Sequence, residues 1–294
     1  MYRLVVLGSG GAIPSPDRNV SCVGIRIDGR VYIFDACEGM QRQMMRYGLS
    51  YSKVRTIFLS HLHPDHYLGI PGLVYTLQLS DFDGTLDIIG PKGTRSIVES
   101  LLIGDVPEFV HVREFSDECV VYDEGNFTVR SFRVKHSGNS YGFVLEQKPT
   151  LKFYKERANA LGISGRMFRE IEKNGKVEVG GKIVKLEEVS WIKKGVKIIY
   201  TGDTVYDENV ARNSEDADLL IHDATFLESE RKDADEKMHA TAKDAATIAH
   251  IARCKRLLLT HISNRYRDDK GHYEEANVIF PEVIVAKDGM EILI

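Results

Sequence analysis

Six consecutive residues constrain this chain more than any other feature of its sequence. They form the run His61-Leu62-His63-Pro64-Asp65-His66, which directly follows the apolar segment Thr56–Ser60. An apolar segment of this length is typical of a β-strand that is buried on both faces. Three imidazoles and a carboxylate at its end would each need a polar partner in a packed core. Because imidazole nitrogens and carboxylates bind Zn²⁺, with Mn²⁺ and Fe²⁺ as alternatives, the run predicts a metal site.

The spacing within this run divides the four groups between two ions. Alternate residues of an extended loop point the same way, so His61 and His63 can share one metal. Asp65 and His66 can then serve a second metal nearby. The alternative, a polar loop that happens to be rich in histidine, gives no physical reason to gather four such groups in one place.

The rest of the chain alternates predicted strands with predicted helices, and this rhythm favours an α/β layered sandwich. The last two strands, Val283–Ala286 and Met290–Ile294, are predicted to pair as a hairpin around Asp288-Gly289. The other predicted strands are Tyr2–Leu7, Ser21–Ile27, Val31–Asp35, Val54–Ser60, Leu86–Ile89, Glu118–Tyr122, Phe127–Val134, Gly142–Gln147, Val196–Thr201, Leu219–His222 and Arg256–Thr260. The predicted helices are Gln41–Tyr47, Gly69–Leu79, Gly93–Leu102, Asp207–Arg212 and Ala240–Ile251.

Composition places the chain among soluble globular proteins. Of its 294 residues, 43% are hydrophobic and 28% are charged. No apolar run approaches the roughly 20 residues that span a bilayer. The four cysteines are scattered and form no Cys-x-x-Cys pair, which favours a reducing compartment. We therefore expect a cytoplasmic protein that makes no contact with membranes.

One basic segment stands out from a chain whose net charge is −4. Residues 147–197 hold 13 Lys/Arg against 6 Asp/Glu and interrupt the alternation of strands and helices. We interpret about residues 147–190 as an arm inserted into a single domain of residues 1–294. A charge asymmetry of this kind can guide a polyanion to one place, and a solvated basic hairpin is the alternative. Its candidate phosphate-binding residues are Lys152, Lys155, Arg166, Lys173 and Lys176.

The histidine-rich run resembles the signature of the metallo-β-lactamase superfamily. That resemblance implies an αββα four-layer sandwich with metals at one edge of its two sheets. It also implies three further ligands, which His136, Asp203 and His261 supply, each after a predicted strand. By resemblance, one zinc takes His61, His63 and His136, the other takes Asp65, His66 and His261, and Asp203 bridges them. Two zinc ions can together neutralise the attacking and leaving oxygens of a phosphodiester.

Other segments resemble motifs of the ribonuclease Z family within that superfamily. They are Pro14–Asn19, Phe34-Asp35 with Glu38, Gly39 and Gln41, His222–Phe226, His239–Thr241 and His261–Tyr266. The resemblance implies a zinc-dependent endoribonuclease that removes the 3′ trailer from tRNA precursors, a homodimer, and an arm that binds tRNA. The sequence departs from the family in three places. Asp223 replaces the usual glutamate, Ala36-Cys37 replaces a common glycine, and Gly162–Arg166 replaces the arm's glycine–proline core.

We predict catalytic roles for Asp65, His239 and Asp223, and substrate contacts for Arg18 and Arg265 in addition to the arm. Hydrolysis that leaves a 3′-hydroxyl requires the departing ribose oxygen to gain a proton or to be stabilised by metal. A histidine can donate that proton, and a nearby carboxylate can orient its ring. The alternative is that His239 only caps the following helix or contacts a phosphate.

Two other functions compete with tRNA processing. Another hydrolase of the superfamily, arylsulfatase-like or acting on small phosphodiesters, would suit a short neutral link between His136 and Asp203, whereas this link is long and basic. A non-catalytic RNA-binding or metal-storage protein would lack a ligand, whereas this sequence supplies the whole set.

Overall fold

The computed structural model describes residues 2–294, which divide into two compact units. The body comprises residues 2–146 and 197–294, and the arm comprises Gln147–Val196. Within the described residues, no helix is both long and apolar enough to cross a membrane.

The first sheet of the body has seven strands and combines antiparallel with parallel pairs. The strands are β1 (Arg3–Gly8), β3 (Cys22–Ile27), β4 (Arg30–Phe34), β5 (Val54–Phe58), β6 (Leu86–Pro91), β7 (Val110–Phe115) and β20 (Glu291–Leu293). Their order across the sheet is β20-β1-β3-β4-β5-β6-β7. Because β4 to β7 are parallel, their carboxyl ends lie along one edge.

The second sheet also has seven strands, namely β8 (Val120–Asp123), β9 (Phe127–Arg133), β10 (Tyr141–Gln147), β15 (Lys197–Tyr200), β16 (Leu219–Asp223), β17 (Leu257–Thr260) and β19 (Val283–Val285). Their order across the sheet is β19-β17-β16-β15-β10-β9-β8. Strands β15, β16, β17 and β19 are parallel, so this sheet also brings several carboxyl ends to one edge. Two short strands, β2 (Gly10–Gly11) and β18 (Ile262–Ser263), pair separately.

Helices cover the outer face of each sheet. On the first sheet these are α1 (Met40–Arg46), α2 (Gly69–Leu79) and α3 (Thr94–Leu101). The second half of the body contributes α7 (Glu208–Asn213), α8 (Arg231–Lys237), α9 (Ala242–Ile251) and α10 (Lys270–Asn277). Of these, α9 and α10 pack on the second sheet. Successive strand residues point to opposite faces of a sheet, so each sheet has an apolar row on its outer face. The apolar faces of the helices pack against this row and are buried there.

Aromatic side chains fill the space between the two sheets. The ring of Phe34 lies 5.8 Å from Phe143 and 5.7 Å from Tyr200, measured between centroids. Phe58 lies 5.6 Å from Phe143 in the same layer. Both sheets are therefore covered on both faces, and the expected αββα sandwich is confirmed.

The closing hairpin predicted from the sequence is wrong. Strand β19 pairs with β17 in the second sheet, whereas β20 pairs with β1 in the first. The Asp288-Gly289 turn thus carries the chain from one sheet to the other. Strand β7 and helices α8 and α10 were also missed in the prediction from the sequence.

The arm has its own small core, formed by Ala158, Ile163, Ile171, Val177, Val184 and Val189. Its elements are β11 (Thr150–Phe153), α4 (Lys155–Ala160), α5 (Met167–Asn174), β12 (Lys176–Val179), β13 (Lys182–Lys185), α6 (Leu186–Val189) and β14 (Ser190–Lys193). Strands β12 and β13 form a hairpin whose turn, Gly180-Gly181, has positive φ at both residues. Glycine suits such a turn because it adopts positive φ without steric cost.

Candidate active site

Polar side chains converge where the parallel strands of both sheets end. The loop after β5 carries His61 and His63, and the single turn Pro64–His66 follows it. Asp203 follows β15, and His261 follows β17. Because carboxyl ends of parallel strands share an edge, residues far apart in sequence meet there.

The structure brings all seven residues predicted as metal ligands into two adjoining groups. Asp203 Oδ2 lies 3.3 Å from both His66 Nε2 and His261 Nε2, 3.6 Å from His61 Nε2 and 3.9 Å from His136 Nε2. One group consists of His61, His63, His136 and Asp203, and the other of Asp65, His66 and His261. Asp203 therefore stands between the two groups.

Four side-chain atoms of these groups that could bind a metal are buried without a hydrogen-bond partner. They are Nε2 of His61, His66 and His261, and Oδ2 of Asp65. A buried polar atom left unpaired costs about 1–3 kcal/mol, so four cost about 4–12 kcal/mol. Since the whole stability of a domain is about 5–15 kcal/mol, packing alone does not account for this arrangement. Nitrogen and carboxylate donors converging in this way fit divalent metal ions.

The other ring nitrogen of each buried imidazole has a partner that fixes the ring. His66 Nδ1 lies 2.7 Å from Asp35 Oδ2, and His261 Nδ1 lies 2.8 Å from Thr225 Oγ1. His136 Nδ1 donates to the backbone carbonyl of Met238 at 2.8 Å. Such partners orient metal-binding histidines and leave the opposite nitrogen free to bind.

Asp35 is a fully buried carboxylate that the sequence did not single out as functional. It accepts hydrogen bonds from the backbone and hydroxyl groups of Ser60, from His66 and from the hydroxyl of Tyr200. Burial and the neighbouring Asp35 raise the pKa of Tyr200 well above its usual value, so Tyr200 remains a donor. Two signals in the sequence pointed to Asp35: its place after the buried strand β4, beside β5, and the family-like motif that contains it.

Electrostatics keep the central carboxylates ionised. Burial raises the pKa of Asp203, but His261 and His66 outweigh burial and hold it well below its usual value. In the same way, burial raises the pKa of Asp65, and the neighbouring imidazoles of His261 and His66 reverse that shift. Both groups are therefore anionic at neutral pH.

His239 forms a second His–carboxylate pair beside the two groups. Its Nδ1 lies 2.8 Å from Asp223 Oδ2, and its ring stacks on His261 with 4.9 Å between centroids. Burial lowers the pKa of His239, but Asp223 outweighs burial and raises it to about 9. Asp223 also accepts hydrogen bonds from Thr204 and Thr225, so its position is fixed independently of His239. Asp223, His239, Asp203 and His261 also lie close enough to form a further candidate group.

Gly11 lies at the rim of this site, against the ring of His261. Strand β2 pairs with β18 immediately after His261. A Cβ on Gly11 would lie 2.1 Å from the His261 ring, so any side chain there would displace the imidazole.

The two arginines predicted to contact substrate differ in their surroundings. Arg18 is partly buried and donates to Ser9 and to the carbonyl of Ala286, and burial lowers its pKa. Arg265 donates to Glu230 at 2.9 Å and to Asp233 at 2.8 Å. Lys152, Lys155, Arg166, Lys173 and Lys176 are all exposed on the arm.

Several known proteins with similar sequences, and one solved structure with a similar fold, carry the name ribonuclease Z or tRNase Z. A model described as tRNase Z endonuclease matches residues 11–69, and a beta-lactamase superfamily domain matches residues 164–262. Ribonuclease Z from Methanosarcina acetivorans is 41% identical over 99% of this chain and 98% of its own length. Ribonuclease Z from Nitrosopumilus maritimus is 36% identical over 99% of both chains. The crystal structure of the short form of human tRNase Z matches 99% of this chain and 98% of its own, with a TM-score of 0.70 and 28% identity.

Proposed function

Since the chain belongs to the ribonuclease Z family, we propose that it removes the 3′ trailer from tRNA precursors by hydrolysing a phosphodiester bond. The products are a tRNA with a 3′-hydroxyl and a trailer with a 5′-phosphate. Family membership makes the chain an endoribonuclease of tRNA 3′ processing. The observation that carries the chemistry is the set of buried, unpartnered donor atoms beside Asp203.

The proposed cofactor is a pair of Zn²⁺ ions, with Mn²⁺ or Fe²⁺ as alternatives. One ion would be held by His61, His63 and His136, and the other would be held by Asp65, His66 and His261. Asp203 would bind both ions. When bound, such ions act as Lewis acids and stabilise charge on the oxygens of the reacting phosphate. The residues present support this assignment because Nε2 of His61, His66 and His261 lies unpartnered within 3.6 Å of Asp203 Oδ2. The Nδ1 atom of each of these rings has a hydrogen-bond partner that fixes the ring.

Proton transfer falls to residues of the chain itself. Asp65 is anionic and faces the same space, so it can accept a proton from the attacking water. His239 is held protonated by Asp223 and can donate a proton to the departing ribose oxygen. Asp223 orients the His239 ring and is itself anchored by Thr204 and Thr225. Proton donation of this kind is typically worth about 10²- to 10⁴-fold in rate.

Recognition of the tRNA is assigned to the arm and to two arginines of the body. Lys152, Lys155, Arg166, Lys173 and Lys176 are exposed and can bind phosphates, which gives affinity without reading bases. Arg18 can contribute only through the part of its side chain that is not buried. Arg265 would have to exchange Glu230 or Asp233 for a phosphate.

We extend the proposal to a homodimer in the cytoplasm. The dimer rests on the family resemblance. The cytoplasm rests on the four free cysteines, which agree with a reducing compartment. Light scattering on the purified protein tests the dimer.

Incubation with a 3′-extended tRNA precursor, followed by mapping of both product ends, tests the proposed function. We expect a single cut that leaves the 3′-hydroxyl on the tRNA and the 5′-phosphate on the trailer. The control is Asp203→Ala, which removes the carboxylate proposed to hold both ions and should abolish the cut. Turnover of bis(p-nitrophenyl) phosphate without any cut in the precursor would instead indicate a hydrolase of small phosphodiesters.

A further inference from the structure

Strands β11 and β14 pair as a two-stranded ribbon at the chain ends of the arm, which we call the arm ribbon (Thr150–Phe153 and Ser190–Lys193). Residues 147–155 and 189–196, which contain the ribbon, hold five lysines and no aspartate or glutamate. The six acidic residues of the arm all lie outside these two segments. The arm ribbon is therefore more strongly cationic than the arm as a whole.

An exposed aromatic pair accompanies this charge. Trp191 pairs directly with Lys152 across the arm ribbon, and its ring centroid lies 6.4 Å from that of Tyr154, with 31° between the ring planes. Trp191 is 42% exposed and Tyr154 is 48% exposed. Both rings keep much of their faces in solvent although aromatic side chains bury large areas in cores.

The packing of the arm does not require these two rings. Its apolar core is closed by Phe153 and Phe168, whose rings meet edge to face at 5.0 Å. Neither Trp191 nor Tyr154 belongs to that core. Scattered apolar residues are common on protein surfaces, but an aromatic pair within a segment whose charges are all positive is a more specific combination.

Lysines and exposed aromatic rings together match the chemistry of RNA outside regular helices. Lysines bind phosphates, and a nucleobase that is not stacked in a helix offers a flat face to an aromatic ring. Folded RNAs present such bases in loops, bulges and ends, where proteins stack aromatic side chains on them. An acidic protein surface would satisfy the lysines but would not use the ring faces.

We propose that Trp191 and Tyr154 form a stacking platform for an unstacked nucleobase of the tRNA substrate, while the lysines of the arm ribbon bind the adjacent phosphates. This inference rests on the proposed function and adds a base contact to an arm otherwise assigned to phosphates alone. The platform contributes to affinity and takes no part in the chemical step.

Intrinsic fluorescence tests the contact directly because Trp191 is the only tryptophan of the chain. The probe is a tRNA without a trailer, so that no cleavage occurs during the titration of the intact, metal-loaded protein. Stacking of a base on the indole ring should quench its emission in a saturable way. The same titration with bis(p-nitrophenyl) phosphate, corrected for its absorbance, should show no saturable quenching.

Variants separate stacking from charge and from general surface packing. Trp191→Ala and Trp191→Leu should each weaken tRNA binding by about 5- to 150-fold, the range reported for loss of one stacked base. Trp191→Phe keeps an aromatic face and should retain most of the affinity. Ile192→Ala is the matched control, since Ile192 is 60% exposed and follows Trp191 on the other face of the strand.

Lys152→Gln isolates the electrostatic contribution from the same ribbon. It should reduce the slope of log affinity against log salt by about 0.7–0.9 while leaving the quenching at saturation unchanged. Trp191→Leu should leave that slope unchanged. Ile192→Ala should equal the wild type both in tRNA affinity and in turnover of the small phosphodiester.

Two results would overturn the platform. One is a saturating tRNA that leaves the emission unaltered, and the other is a Trp191→Leu protein that binds tRNA as tightly as the wild type. An emission change that follows protein concentration without RNA would assign the rings to a protein contact and would also overturn it. If the wild type cleaves the precursor in any of these cases, only the platform fails; if it neither binds nor cleaves, the proposed function fails.

Discussion

Charged groups have opposite surroundings in two regions of the molecule, the edge of the body around Asp203 and the arm ribbon. At the edge, His66, Asp203 and Asp223 are buried, and each is held by at least two neighbours from distant parts of the chain. On the arm, Lys152 and Lys155 are exposed and lie within one short segment. Buried charges are costly unless they are compensated, so the edge tolerates little change, whereas exposed lysines are solvated individually.

Because of this difference, we expect the effects of substitutions to be coupled at the edge and independent on the arm. Groups that share partners show strong interaction energies when substituted together, whereas distant exposed groups give nearly additive effects. Substitutions at the edge are therefore expected to cause losses in chemistry that do not add when they are combined. Substitutions on the arm are expected to reduce substrate affinity in steps.

Removal of metal should give the largest effect. A chelator should abolish hydrolysis of both the tRNA precursor and bis(p-nitrophenyl) phosphate, and metal analysis after reconstitution should find about two Zn²⁺ per chain. Binding of tRNA by the arm should persist in the metal-free protein because its lysines do not depend on the ions. Full hydrolytic activity in a metal-free preparation would contradict the assignment of the whole edge.

Loss of His239 should come next. His239→Ala should retain two zinc ions and near-normal tRNA affinity but lose about 10²- to 10⁴-fold in turnover, because the departing oxygen loses its proton donor. Asp223→Ala should show a milder form of the same defect. His111→Ala is the matched control, since it removes a histidine that lies beside Asp87 on the exposed surface. A His239→Ala protein that loses zinc, or that cleaves at the wild-type rate, would exclude this role.

Replacement of the arm tests whether the two regions are separable. Glu146 and Lys197 face each other across the β10–β15 pair, so a two-residue Asn-Gly turn in place of residues 148–195 can rejoin the strands. Affinity for the tRNA precursor should fall by about 10²-fold and lose most of its salt dependence, since phosphate contacts disappear. Turnover of bis(p-nitrophenyl) phosphate should remain. Equal losses on both substrates would show that the arm supports the body.

The sequence predicted local features of the site better than contacts between distant segments. The run from His61 to His66 is recognisable because its candidate ligands are contiguous. Strand and helix periodicity predicted an α/β layered sandwich, and the family resemblance specified its αββα arrangement. The contact of His136 with the Met238 carbonyl could not be predicted, because a backbone oxygen carries no residue-specific signal. The hairpin error has a similar cause, since strand patterns indicate that a segment is a strand but do not identify its partner.

Asp35 is the clearest residue found by the structure, and its substitution should have an intermediate effect. Asp35→Asn should lower metal affinity by about 10- to 100-fold, the usual cost of altering a partner behind a metal ligand. The amide cannot accept hydrogen bonds from His66, Ser60 and Tyr200 as the carboxylate does. Competition with a chelator of known affinity measures the change. The control is Asp87→Asn, which alters a half-buried carboxylate paired with Arg113. Unchanged zinc affinity would limit Asp35 to a structural role.

Single arm lysines should give the smallest effects, and their combination tests independence most directly. Lys155→Gln and Lys173→Gln should each lower the salt slope of tRNA binding by about 0.7–0.9 if each neutralises one phosphate. The double variant should show the sum of the two slope changes, since exposed and separate charges add. Lys53→Gln removes the same charge beside the amino end of β5, at the opposite end of that strand from His61, and should leave the salt slope unchanged.

The matching test at the edge combines His239→Ala with Asp223→Ala. The double variant should lose no more turnover than His239→Ala alone, because Asp223 acts through that histidine. Additive losses at His239 and Asp223, or non-additive losses on the arm, would remove the distinction between the two regions.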